Sequence, residues 1–149
     1  MKQHFTIIAL GLMAVALIYL RFTASRSTRT QMRVGNTTIA VEIADTLGKQ
    51  RQGLSGRDSL PADQGMYFPM GQLALHSFWM KNMRFPLDII WIRAGQIVDI
   101  SENVPYPYGD HAPVVARPKE PADAVLEVNA DFTEKHGVKV GNRIELLSH

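Results

Sequence analysis

The chain contains no cysteine, so disulfides, thiolate nucleophiles, thioether-linked haem and cysteine-type zinc sites are all excluded. This absence leaves the compartment open, because a domain of this size folds without disulfides in either redox environment. Residues 1–30 carry Lys2, Arg21, Arg26 and Arg29 and no acid. Beyond them, residues 31–149 hold 12 basic and 14 acidic side chains, a net charge near −2, although the sequence pI is about 9.0. A domain so balanced has little electrostatic pull on a phosphate backbone, and nucleic acid is not expected as a partner. Catalytic signatures are missing as well: there is no His-Glu-x-x-His pair, no Gly-x-Ser-x-Gly elbow and no Gly-x-x-x-x-Gly-Lys loop. The five histidines are scattered, and the adjacent Asp110-His111 would need ligands from elsewhere to hold a metal. Neither a metal nor a cofactor is expected.

One long apolar run is present. Phe5 to Leu20 is uncharged throughout, preceded by Lys2 and closed by Arg21. As a helix it would cover about 24 Å, short of the roughly 30 Å hydrocarbon core but extendable by Phe22 and a snorkelling Arg21. It reads as a membrane anchor through residues 5–20; the alternative is a signal peptide cleaved near Thr23-Ala24-Ser25. Either reading places the domain in the periplasm or outside the cell, anchored or secreted. The excess of arginine after the run argues for the opposite orientation and stands against that placement. Residues 1–30 are therefore assigned to anchor and tether, and residues 31–149 to a single soluble domain.

That domain reads as mainly β with minor α: a compact, mostly antiparallel, partly closed sheet or barrel of six to eight short strands with one or two short helices. Gln31 to Val34 and Thr38 to Ala44 flank Gly35-Asn36 as a hairpin. Asp45 or Thr46 can cap a helix from about Leu47 to Gln52, which Gly53 and Gly56 can end. Gly65 to Met70 and Leu75 to Lys81 read as two strands joined near Gly71, and Asp88 to Arg93 with Gln96 to Glu102 as a hairpin turning at Ala94-Gly95. Five prolines between Asn103 and Pro121 predict a long loop, a natural rim for a site. Ala124 to Asn129, Phe132 to His136 and Arg143 to Leu147 complete the chain as strand, helical turn and strand.

The densest group of unusual residues is Phe78-Trp79-Met80-Lys81-Asn82, followed by Pro86-Leu87-Asp88. Strand alternation puts Trp79 and Lys81 on one side and Phe78, Met80 and Asn82 on the other, so that an indole and an ammonium border one surface. Together with Arg51-Gln52-Gly53-Leu54, Arg57, Leu60-Pro61, Gly65-Met66, Phe68, Leu126-Glu127 and Gly137 to Gly141, these residues resemble family 192 of the domains of unknown function, also termed uncharacterised protein family 0127. The resemblance runs from about Val41 to Leu146 and implies a compact β-rich domain, often behind a signal or membrane segment, with no established activity. Ser55 and Met83 depart from the family pattern, which has methionine and threonine there.

Asp88 and Glu127 are carboxylates among apolar strand neighbours, and burial would demand a partner such as Arg57, Lys81 or Arg51. Two functional readings follow. The first is a non-catalytic binding or interaction module of the cell envelope, with Arg57, Trp79, Lys81 and Asn82 as candidate ligand-binding residues and an envelope protein or small ligand as partner. The second is a small extracytoplasmic hydrolase with Asp88 and Glu127 as catalytic acid and base.

Overall fold

The computed structural model describes residues 29–108 and 111–147. The expected N-terminal apolar helix, nearly all of the tether, and Asp110 lie outside the described residues. Among the described residues no helix is long and apolar enough to cross a membrane.

The chain opens with strands β1 (Arg29–Val34) and β2 (Thr37–Ile43), an antiparallel hairpin turning at Gly35-Asn36. Helix α1 (Leu47–Gln52) follows, capped by Thr46, whose hydroxyl accepts from the Lys49 amide. It stops at Gly53, where φ of 51° and ψ of −134° suit glycine and strain any residue with a Cβ. Strand β3 (Gln64–Ala74) returns parallel to β2, with α1 in the crossover that parallel pairing requires. The short β4 (Phe78–Trp79) precedes a second hairpin, β5 (Leu87–Arg93) and β6 (Gln96–Val104). Its turn residues Ala94 and Gly95 both have positive φ, 50° and 74°, as a tight two-residue hairpin demands. Then come β7 (Val115–Ala116), β8 (Ala122–Asn129), α2 (Phe132–Lys135) and β9 (Ile144–Leu147).

Seven strands form one sheet in the order β6-β5-β8-β3-β2-β1-β9, all antiparallel except β2 with β3. The sheet curls into a half-barrel, and its two edge strands approach each other at one end. There Gln96 bridges to Arg143, and the Ile97 amide donates to the Asn142 carbonyl. Strands β4 and β7 pair separately as a small ribbon. Central strand β5 reads Leu-Asp-Ile-Ile-Trp-Ile along its buried length because both of its faces are covered. Ile90, Ile92, Leu126 and Val128 pack on the concave side with Met32, Val34 and Val41. Ile89, Trp91, Val125, Met66 and Phe68 pack on the other, beneath Leu54, Met80 and Met83. Hence the segment after α1 and the β4–β7 ribbon lie over the outer face of the sheet, and the site forms in that layer.

Three expected boundaries shift. The strand expected over Leu75 to Lys81 shortens to the two residues of β4. The predicted strand break near Gly71 is absent, because β3 runs on to Ala74 with only a register shift between Pro69 and Ala74. The proline-rich loop is interrupted by β7, which pairs Val115 with Trp79 and Ala116 with Phe78.

Candidate functional site

Glu127 is the third from last residue of β8, directly opposite Met66 of β3 and Ile89 of β5. The alternation of the strand points it to the outer face, where its neighbours are apolar. Above it runs the turn after α1, where Gly53 is required by its positive φ and its Cα faces the acid: a Cβ there would make ordinary contacts of 3.7 Å to Glu127 Oε2 and 3.6 Å to Phe68 Cζ. On the far side stands β4. Phe78 packs edge-on against Phe68 and Trp91, with centroids 5.0 and 5.6 Å apart, and this fixes its ring as a wall.

Between the turn and the ribbon lies a cavity of about 130 Å³ lined by Gln52, Gly53, Phe68, Met70, Phe78 and Glu127, with Trp79 and Arg51 also on its wall. It adjoins a wider hollow that shares Arg51, Gln52, Ser55 and Trp79 and adds Lys81 and Asn82. The rim is held by hydrogen bonds. Ser55 Oγ donates to the Lys81 carbonyl at 2.9 Å, and the Gly56 amide donates to the Asn82 carbonyl at 2.9 Å. Asn82 turns the chain there with a φ of 57°. Ser77, also on the cavity wall, accepts from Arg117 Nε at 2.9 Å.

Glu127 is only 6% exposed, and its Oε2 has no hydrogen-bond partner. Burial penalises the charged form and raises its pKa to about 8; the nearby Arg57 charge opposes this and falls short. Its carboxyl is therefore mostly protonated at neutral pH, a donor as well as an acceptor.

The other buried carboxylate is spent on structure. Asp88 Oδ2 accepts from both the amide and the hydroxyl of Thr133, at 2.9 and 2.7 Å, and Oδ1 accepts from the Asn103 amide at 2.9 Å. It ties the start of α2 and the end of β6 to β5. Register pairs Ile89, not Asp88, with Glu127, so the two acids point to opposite faces of the sheet. The paired-carboxylate cleft expected for a hydrolase is not formed.

Trp79, Lys81 and Asn82 do gather at one place. Trp79 is 59% exposed, and Lys81 Nζ lies 5.4 Å from its ring centroid. Arg57 sits behind the site instead of in it, with its guanidinium 2.8 and 2.9 Å from the two carboxylate oxygens of Glu42. The expected pairing of Arg57 with Asp88 or Glu127 is replaced by this bidentate pair. Glu42 escaped notice in the sequence because it alternates with Val41 and Ile43 like any outward polar residue of a hairpin. Gln52, Gly53, Ser55 and Ser77 were missed as lining residues too, and only the glycine carries a sequence signal, as a helix stop. Among the described residues no group of three or more His, Asp or Glu could hold a metal ion.

A half-barrel with a helix and ribbon folded over one face, enclosing a small cavity with a buried acid, defines a compact β-rich domain. The sequence profile of DUF192, described as an uncharacterised ACR, matches residues 29–146, and the chain belongs to this family. A "putative transcription regulator" from Sinorhizobium meliloti 1021 is 32% identical, with a TM-score of 0.70 over 80% of this chain and 95% of that one. A protein of unknown function from Novosphingobium aromaticivorans DSM 12444 is 30% identical, with a TM-score of 0.67 over 78% of this chain and 84% of that one. No curated protein matches the chain.

Proposed function

We propose that this protein is a non-catalytic binding module of the cell envelope, exported or held at the membrane by Phe5–Leu20, that admits a small ligand to the cavity over Glu127. One observation carries the reading: of the two buried carboxylates among the described residues, Asp88 is fully engaged by backbone and hydroxyl donors, whereas Oε2 of Glu127 is buried without a hydrogen-bond partner and the Glu127 side chain lies on the wall of the cavity. Buried polar atoms are ordinarily hydrogen-bonded, and an exception at a cavity wall calls for a partner from inside the cavity. A ligand with a suitable polar tip would meet the Glu127 carboxyl where it faces the cavity. Apolar walls and an exposed indole at the mouth supply the remaining contact surface.

A hydrolase would need a second acid or a base across the cavity from Glu127, and none of the cavity-lining residues offers one. For a DNA-binding role the charge balance of residues 31–149 gives no support. The test is a fragment screen against the ¹⁵N-labelled full-length chain, followed through the Trp79 indole N–H and the amides of Gly53, Ser55 and Ser77. Saturable shifts confined to those signals are expected; a screen in which shifts scatter over the surface would refute the reading. Protease accessibility of the domain on intact spheroplasts tests its placement outside the membrane.

A further inference from the structure

The charge around the cavity is one-sided. Arg51 and Lys81 line its mouth, and neither has a carboxylate partner among the described residues. Arg117 adds a third cation through its hydrogen bond to Ser77. The acids nearby are engaged elsewhere: Glu42 holds Arg57, and Asp58 holds Arg84. Among the described residues, Glu127 is the sole acid on the cavity wall. A cationic ligand entering this mouth would meet two uncompensated positive charges, while an anion would be drawn to them.

Resting on the binding reading above, we propose that the ligand is a small organic anion: an apolar body held by Phe68, Met70 and Phe78, an inner oxygen that accepts a hydrogen bond from Glu127, and an outer anionic group beside Arg51 and Lys81. The exposed face of Trp79 covers the junction between body and head. Glu127 must then act in its neutral form. The groups around it favour that state: Met66 and Phe68 of β3, Ile89 of β5 and Gly53 above it carry no charge, and the one cation acting on it, Arg57, is neutralised by Glu42. Since the carboxyl titrates at about 8, affinity should be full at pH 6 and fall as pH rises through that value. At pH 9 about a tenth of the molecules retain the proton, so apparent affinity should drop about tenfold.

Three probes of one shape and different charge test this on the full-length chain: 4-hydroxyphenylacetate, 4-hydroxyphenylacetamide and tyramine, each titrated while the Trp79 indole N–H is monitored. The anion is expected to bind at least tenfold more tightly than the amine, with the amide between them. Glu127→Gln keeps a neutral hydrogen-bonding group and should bind the anion within about threefold of the parent at pH 6, with no loss at pH 9. Arg51→Ala and Lys81→Ala should each weaken it about two- to fivefold, as exposed single charges do. Preference for tyramine, loss of anion binding in Glu127→Gln, or no saturable shift with any probe would each overturn the inference. If the fragment screen still fills the cavity with neutral or cationic compounds, the binding reading survives while the anion assignment falls. If neither screen nor probes occupy it, both fall.

Discussion

Replacing Glu127 by glutamine should raise stability at neutral pH and flatten its pH dependence. The carboxyl titrates at about 8 in the folded protein against an ordinary 4.5, so the folded state holds more protons than the unfolded state between those values. Stability from this group is therefore fully present below pH 4.5 and declines as pH rises, by about 1.4 kcal/mol per unit. By pH 7 the loss is about 3 kcal/mol, and it approaches about 5 kcal/mol once the folded-state pKa is passed. The amide of the variant cannot ionise and avoids the loss. Urea unfolding of parent and variant at pH 5, 6, 7 and 8 gives the difference directly, since every other titrating group cancels. The variant should gain on the parent by more than about 1 kcal/mol for each pH unit between 5 and 8. Parallel profiles, constant within about 0.5 kcal/mol, would refute the buried neutral acid.

Asp88→Ala strands the Thr133 amide and hydroxyl and the Asn103 amide, and should cost about 3–5 kcal/mol in urea unfolding; a cost under about 1 kcal/mol would show that its three hydrogen bonds are not structural. Arg57→Ala removes the bidentate partner of Glu42, whose side chain is 13% exposed, and leaves Arg29 at 3.9 Å as a weaker ion-pair partner. It should cost about 1–2 kcal/mol and move the Glu127 titration, read from its carboxyl carbon by NMR, further upward. A chain beginning at Arg29 should fold with a cooperative thermal transition, because β1 starts there; failure would tie the N-terminal segment to the core.

Much of the fold was legible where local chemistry decides it. Of the caps that the sequence offers, Thr46 and Gly53 bound α1, and the Ala94-Gly95 turn fixes the β5–β6 hairpin. What escaped depends on distant partners. Pro69 and Gly71 read as breaks, yet β3 continues past them because β8 offers a ladder on one side, with the irregularity absorbed between Pro69 and Ala74. Strand β7 is two residues long, too short for any period to show among five prolines, and exists through its pairing with β4. At the site, Trp79, Lys81 and Asn82 line one hollow, Trp79 and Glu127 line the adjoining cavity, and Arg57 lies on neither wall. The separation of Asp88 from Glu127 was illegible, because it rests on the cross-strand register that sets Ile89 opposite Glu127.

Crystals of the protein soaked with a set of small polar fragments would test the central claim most directly. A fragment is expected in the cavity between Gly53, Phe78 and Glu127, with a polar atom about 2.6–3.2 Å from a carboxyl oxygen of Glu127. Fragments bound only on the outer surface, with the cavity closed and the Glu127 carboxyl untouched by any of them, would contradict the binding reading.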